Sequence, residues 1–145
     1  KGLILAKNNG IKSIIFNYKN KSISEKKILK ILNSNNIKLI CLAGFMKILS
    51  NKFIKNFKGK IINIHPSLLP RYKGLNTHQR VINNKEKFTG CTVHYVSKKL
   101  DSGKIIIQKK IRIYKKDTVS ILSKKVLRLE HQIYPKAIQK ISNYL

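Results

Sequence analysis

Two short apolar runs separated by one predicted helix constrain the fold of this chain more than any other feature of its sequence. Residues 38–43 (KLICLA) form one nearly continuous apolar stretch, and residues 60–64 (KIINI) form the next. Continuous apolar strands of this kind, buried on both faces, are typical of parallel sheets. Because a short helix capped by Ser50 and closed near Gly59 is predicted between them, the pattern indicates an α/β domain.

The N-terminal part of the chain extends the alternation of helices and strands. Its first ten residues fit the end of a helix that is capped by Gly10. Residues 13–16 are predicted to form a short buried strand. Residues 22–25 (SISE) fit a capping box, which predicts the start of a helix that ends near Asn35 and Asn36.

The pattern changes after His65, which ends the second apolar run. The prolines and glycine that follow indicate an irregular loop, and a helix is predicted around residues 78–83. Strands over residues 91–96 and 104–113 flank a tight segment, which favours an antiparallel pair. A long final helix, capped by Asp117 and kinked at its internal proline, completes the chain.

These elements predict a single α/β domain over residues 1–145. Its sheet is expected to be mostly parallel with an antiparallel C-terminal part, and helices are expected on both faces. In such sheets the active crevice lies beyond the carboxyl ends of the strands. We therefore expect residues 44–49 and the pair Asn63 and His65 to face one site.

The formal net charge of +27 suggests a nucleic-acid partner at first sight. Arginine, which recognises phosphates and bases through two parallel hydrogen bonds, supplies only four of the 32 basic residues. The lysines are spread along the whole chain beside abundant Ile and Asn. This composition is expected of a protein encoded by an AT-rich genome. We interpret the charge as compositional and predict no specific nucleic-acid partner.

Several other classes of function find little support in the sequence. No apolar run approaches the about 18 residues of a membrane span, so no membrane segment is predicted. Cys41 and Cys91 each lie in an apolar run, which predicts reduced core residues of a cytosolic protein. No metal site is predicted, because the usual close ligand spacing is missing from the histidines, His65, His78, His94 and His131.

Asn63 and His65 are separated by one residue at a strand end, which places both side chains on one face. An Asn amide can donate to a developing oxyanion, and a His can donate a proton or stabilise charge. Asp101, one of five acidic residues, could hold the His in its charged form. The residue types alone also allow a plain turn at Asp101 and a strand cap at His65.

Four segments of the chain match one known family in residue identity, order and spacing. They are residues 42–50 (LAGFMKILS), 63–79 (NIHPSLLPRYKGLNTHQ), 90–108 (GCTVHYVSKKLDSGKIIIQ) and 129–135 (LEHQIYP). In these segments the chain resembles the phosphoribosylglycinamide formyltransferases. The resemblance implies a Rossmann-like, cytoplasmic enzyme of purine biosynthesis and one-carbon metabolism. Such an enzyme transfers a formyl group from 10-formyltetrahydrofolate, its co-substrate, to the amine of glycinamide ribonucleotide.

The resemblance also implies the roles of individual residues. Asn63, His65 and Asp101 correspond to the catalytic residues, and Glu130 to a residue that binds the ribonucleotide. The implied folate contacts also include Asn63 and Asp101; the others are Met46, Lys47, Ile48, Leu49, Ser97, Lys98, Lys99, Leu100 and Lys21. A small-molecule substrate, no metal, and a monomer or weak homodimer are expected from the same resemblance.

Three alternatives remain beside this interpretation. Methionyl-tRNA formyltransferases and formyltetrahydrofolate hydrolases share a similar trio, but their surrounding motifs are less similar to this chain. A noncatalytic basic remnant is the third. The family also opens with a strand and a Gly-rich loop that holds the substrate phosphate at a helix N-terminus. Because the sequence contains no such loop, we expect an N-terminally incomplete domain with exposed sheet edges.

Overall fold

The computed structural model describes residues 2–144 of the chain. Helices and strands alternate along it, so the predicted α/β fold class is confirmed. In chain order the elements are α1 (Gly2–Asn8), α2 (Lys21–Ser34), β1 (Leu39–Leu42), α3 (Asn51–Asn56), β2 (Lys60–His65), α4 (Thr77–Asn83), β3 (Phe88–Tyr95), β4 (Ile105–Arg112) and α5 (Val119–Ser142). Among the described helices, none is long and apolar enough to cross a membrane.

The strands within the described residues form one sheet in the order β1-β2-β3-β4. β1 and β2 are parallel, whereas β2 with β3 and β3 with β4 are antiparallel. The predicted antiparallel part is therefore present, and it is larger than expected. The connection between β3 and β4 is too short for the crossover that a parallel pair would need, so these strands run antiparallel.

Helices cover both faces of this sheet, as the sequence predicts. Ile62 lies in a buried cluster with residues of β3 and α5, namely Cys91, Val93, Val126, Leu129, Ile133, Ala137 and Ile141. Ile61 points to the opposite face and belongs to a second cluster, against which side chains of α2 pack; its other members are Leu49, Phe53 of α3 and Phe57 just after α3. Neighbouring residues of β2 thus enter different cores, as the pleat of a strand requires.

Residues 13–16 do not form the predicted buried strand. Their backbone is irregular, and the side chains of Ile14 and Ile15 are 50% and 77% exposed. An apolar stretch becomes a strand only when a neighbouring strand satisfies its backbone hydrogen bonds. No strand within residues 2–144 pairs with this one, and the prediction was wrong for that reason.

β1 is less buried than its apolar sequence predicts. It lies at the edge of the sheet, and Cys41 on this strand is exposed. The expectation that residues 38–43 are buried on both faces is therefore wrong, as is the placement of Cys41 in the core. Cys91 lies in the interior strand β3 and is fully buried, as predicted.

The helix starts lie close to the predicted positions, but two of the capping residues differ. Asn20 rather than Ser22 caps α2, because its side chain accepts a hydrogen bond from the backbone N–H of Ile23. Thr118 rather than Asp117 caps α5. Asp117 is engaged elsewhere, since its carboxylate accepts from Lys125 and from the backbone N–H of Tyr114. Ser50 caps α3 as predicted.

Glu25 is a buried acid that joins α2 to the start of α3. Its carboxylate accepts hydrogen bonds from the backbone N–H of Ser50 at 2.9 Å, from the Ser50 hydroxyl, and from the Tyr18 hydroxyl at 2.9 Å. Burial acts to raise the pKa of Glu25, but these hydrogen bonds outweigh it and hold the pKa below its usual value. Glu25 therefore fixes the position of α3 instead of completing a capping box.

We expect Glu25→Gln to lower the free energy of unfolding by about 2 kcal/mol at neutral pH, since charge-assisted hydrogen bonds are lost. Because the folded pKa is lowered, this stabilisation is present above the ordinary pKa of 4.5 and is lost as the pH falls through the folded value. Urea unfolding at neutral and acidic pH measures the difference, which should shrink on acidification. The exposed Ser22→Ala change should cost less than about 0.5 kcal/mol. A pH-independent loss in Glu25→Gln would contradict this account.

Candidate functional site

The three residues that are predicted to be catalytic lie close together, at the C-terminal end of β2 and in the loop between β3 and β4. The Nδ1 atom of His65 lies 3.4 Å from the Oδ2 atom of Asp101. Both residues are buried, with 6% of His65 and 9% of Asp101 exposed. Asn63 lies two residues before His65 and lines the same cavities as Asp101. The structure thus brings together Asn63, His65 and Asp101.

The loop that carries Asp101 has a backbone shape that few residues accept. Asp101 has a φ of 45°, in the left-handed region that Asp and Asn tolerate better than most residues. A Cβ atom on Gly103 would lie 1.7 Å from the carbonyl oxygen of Tyr95, so glycine is required there. The backbone N–H of Gly74 donates to Oδ2 of Asp101 at 2.9 Å. The loop after β2 therefore helps to fix the carboxylate of Asp101.

Both ring nitrogens of His65 face acceptors. Nε2 lies 2.8 Å from the carbonyl oxygen of Tyr72, and Nδ1 faces the Asp101 carboxylate. A neutral imidazole has one N–H and can satisfy only one of these contacts, whereas the doubly protonated ring donates to both. Each N–H of a doubly protonated His65 ring would therefore find an acceptor, one of them the Asp101 carboxylate.

Tyr72 is itself firmly held in the loop after β2. Its ring lies 5.3 Å from the guanidinium carbons of Arg71 and of Arg80, and its hydroxyl donates to Glu86 at 2.5 Å. Cations stacked on an aromatic ring add to its packing. The carbonyl that faces His65 thus belongs to an anchored residue.

His94 is a fourth member of the site. From the sequence it was weighed only as a possible metal ligand. It lies on β3 opposite Asn63 and is 2% exposed. Its Nε2 atom lies 3.4 Å from Nδ2 of Asn63 and 3.7 Å from Oδ1 of Asp101. The position of His94 beside Asn63 follows from the antiparallel register of β2 and β3. The apolar pattern of the two strands does not by itself predict that register, which also depends on the connection between them.

The surroundings of His94 favour its neutral form. Burial lowers the pKa of His94, and the charge of His65 acts in the same direction. The Tyr95 carbonyl and the Asp101 carboxylate oppose this shift without cancelling it. Of the two histidines beside this carboxylate, His65 is the nearer, at 3.4 Å against 3.7 Å for His94.

Two cavities meet at this trio. One, of about 90 Å³, is bordered by Asn63, His94 and Asp101, and the other, of about 470 Å³, by Asn63, His65 and Asp101. The larger one is within the usual size range of small-molecule sites. The predicted folate contacts outside the trio line one or both cavities, except Lys21; they are Met46, Lys47, Ile48, Leu49, Ser97, Lys98, Lys99 and Leu100.

Two predicted site residues lie away from the trio. Lys21 lines a separate cavity of about 600 Å³ between α2 and α3. Glu130 lies on α5, which packs against the face of the sheet that carries Ile62, opposite the face of Asn63. Burial raises the pKa of Glu130, which the charge of His131 partly opposes. The structure does not bring either residue to the trio, and their roles stay predictions.

The histidines of the site are not arranged as metal ligands in the part of the chain that the structure describes. Within residues 2–144, no group of three or more His, Cys, Asp or Glu side chains is placed to hold a metal ion. His65 and His94 instead direct their ring nitrogens at hydrogen-bonding partners.

The fold and the site define an α/β protein with an Asn–His–Asp group at the carboxyl end of a sheet strand. The family model described as formyl transferase matches residues 2–138 of this chain. The chain therefore belongs to the formyl transferase family.

Individual relatives agree with this assignment. A crystal structure of phosphoribosylglycinamide formyltransferase from Anaplasma phagocytophilum is 41% identical, with a TM-score of 0.91 over 98% of this chain and 69% of that one. The corresponding structure from Brucella melitensis is also 41% identical, with a TM-score of 0.91 over 99% of this chain and 76% of that one.

Curated relatives are longer than this chain. The phosphoribosylglycinamide formyltransferase of Haemophilus influenzae is 43% identical over 141 residues, which cover 95% of this chain and 66% of the relative. The trifunctional purine biosynthetic protein adenosine-3 of Bos taurus is 41% identical over 98% of this chain, which spans 14% of that protein.

One half-buried histidine, His78, and one buried histidine, His94, make stability depend on pH. Burial lowers the pKa of His78 and of His94 from the ordinary value of 6.5. Below pH 6.5 the unfolded chain therefore binds protons that the folded chain does not, so the free energy of unfolding falls until the folded values are reached. We expect urea unfolding to show this loss on acidification from pH 7. A His78→Gln variant should flatten the dependence, and an unchanged slope in that variant would contradict the contribution of His78.

Proposed function

We propose that this chain carries the formyl-transfer site of a phosphoribosylglycinamide formyltransferase. It would transfer the formyl group of 10-formyltetrahydrofolate to the amine of glycinamide ribonucleotide, a reaction of purine biosynthesis. The observation that carries the proposal is the buried pair of His65 and Asp101 beside Asn63, where two cavities meet. The names of the similar bacterial proteins support formyl transfer to a phosphoribosylglycinamide.

The chemistry follows from the charges of the trio. As the substrate amine attacks the formyl carbon, negative charge develops on the formyl oxygen. The positive charge of an imidazolium at His65 and a directed amide N–H of Asn63 can stabilise that charge in this largely buried site. Asp101 balances the charge of His65 and can help pass the proton lost by the amine to the departing folate nitrogen, through water.

The cavity walls suit a flat, partly apolar co-substrate. Four apolar side chains line the smaller cavity, those of Phe45, Ile48, Leu49 and Val96. An apolar lining strengthens the electrostatic interactions inside the site, because it lowers the local dielectric constant. Lys47, Lys98 and Lys99 also line this cavity and would attract the anionic groups of both substrates.

Asp101→Asn provides the sharpest test of this function. We expect kcat/KM for formyl transfer to fall at least about 100-fold, because the partner that keeps His65 charged is lost. The fold should persist, since Asn tolerates the left-handed backbone at this position. The measurement is the transfer of formyl from 10-formyltetrahydrofolate to glycinamide ribonucleotide, with thermal unfolding in parallel.

Asp117→Asn is the matched control, because Asp117 is also buried but pairs with Lys125 outside the site. It should lower stability and leave kcat nearly unchanged. Equal activity of Asp101→Asn and the unaltered chain would overturn the role of Asp101. Release of formate without ribonucleotide, at the rate of transfer, would instead identify a hydrolase.

A further inference from the structure

The proposed role of Asn63 requires its carboxamide to be turned one particular way. The nitrogen end carries two N–H donors, whereas the oxygen end only accepts. A developing oxyanion is stabilised by the first and repelled by the second. The two ends have nearly the same size and shape, so packing alone hardly distinguishes them. A neighbouring group with a defined hydrogen-bonding character must therefore select the orientation.

His94 has the required character. Its Nδ1 atom lies 2.9 Å from the carbonyl oxygen of Tyr95, which can only accept, so the ring proton of the neutral form lies on Nδ1. Nε2 then carries a lone pair. That lone pair faces Asn63, whose Nδ2 atom lies 3.4 Å away.

We propose that His94 is a positioning residue that accepts one N–H of Asn63 and thereby turns the amide nitrogen toward the reacting formyl oxygen. The second N–H of Asn63 remains free to donate to the oxyanion. This role rests on the proposed formyl transfer and deepens it.

The surrounding strands make the arrangement rigid. Asn63 and His94 are direct partners across the antiparallel pair of β2 and β3, and His94 is almost fully buried. The groups that face its ring are Asn63 and His65 from β2 and Asp101 from the following loop. A proton on Nε2 would make His94 a donor to Asp101 and would turn the oxygen of Asn63 inward. The neutral ring therefore matches the orientation that the reaction needs.

Two substitutions of His94 distinguish the acceptor role of its Nε2 lone pair from the packing of the ring. The side-chain oxygen of His94→Gln can reach the place of Nε2 and can accept from Asn63. His94→Asn is shorter, reaches only the place of Nδ1 and leaves Asn63 without its acceptor. We expect kcat of His94→Asn to fall about 10- to 100-fold with KM changed less than about threefold, because an oxyanion donor is misoriented. In His94→Gln kcat should fall no more than about threefold.

A double-mutant cycle tests whether His94 acts through Asn63. In the Asn63→Ala background, His94→Asn should lower kcat by less than about threefold. Equal losses in His94→Asn and His94→Gln, or an undiminished loss in the Asn63→Ala background, would overturn the proposal.

Nitrogen NMR of the unaltered chain provides a readout that does not depend on activity. The expected spectrum has the His94 proton on Nδ1 and a side-chain amide signal of Asn63 that shifts in His94→Asn and stays in place in His94→Gln. A proton on Nε2 at neutral pH would overturn the proposal even if the variants fold poorly. A chain that transfers no formyl group would overturn the proposed function, while the NMR result would still decide whether His94 orients Asn63.

Discussion

The antiparallel pairing of β2 with β3 is the constraint on which the site depends. It sets Asn63 opposite His94 and leads the chain directly from β3 into the loop that carries Asp101. Backbone hydrogen bonds fix the register, and a shift by one residue would turn Asn63 and His65 to the other face of the sheet. Ile62 and Ile61 on the same strand enter two separate buried clusters, so such a shift would also disrupt both cores.

This geometry divides the roles of two neighbouring histidines. His65 has an acceptor at each ring nitrogen, while His94 has the Tyr95 carbonyl at Nδ1 and the Asn63 amide at Nε2, with Asp101 somewhat further from Nε2. In the proposed mechanism these partners assign the charged ring to His65 and the neutral ring to His94, both beside Asp101. Mutual repulsion reinforces the assignment, since a charged His65 disfavours a proton on His94. One carboxylate can then serve a single imidazolium.

The sequence predicted what depends on local pattern and missed what depends on distant partners. The helices, the strand that ends at His65 and the antiparallel hairpin follow from periodicity and turn residues, and the structure contains them. Residues 13–16 have the composition of a strand, but strand formation needs a partner that local sequence cannot reveal. Cys41 was wrongly predicted to be buried, because strand order places it at the sheet edge and local sequence does not reveal strand order.

The same distinction applies to the site. Alternation along one strand suggested that Asn63 and His65 share a face, whereas the contribution of His94 depends on the register between two strands. The network around Glu25 also escaped prediction, because Ser50, its principal partner, lies 25 residues further along the chain.

The backbone at Asp101 has a consequence for which residues this position can hold. Its left-handed conformation disfavours most side chains by about 1–2 kcal/mol and is tolerated best by Gly, Asn and Asp. Of these three, Asp alone carries a negative charge. Glutamate would keep the charge but strain the turn, and asparagine would suit the turn but lose the charge. Backbone shape and electrostatics therefore select the same amino acid independently, which leaves this position without a conservative substitute.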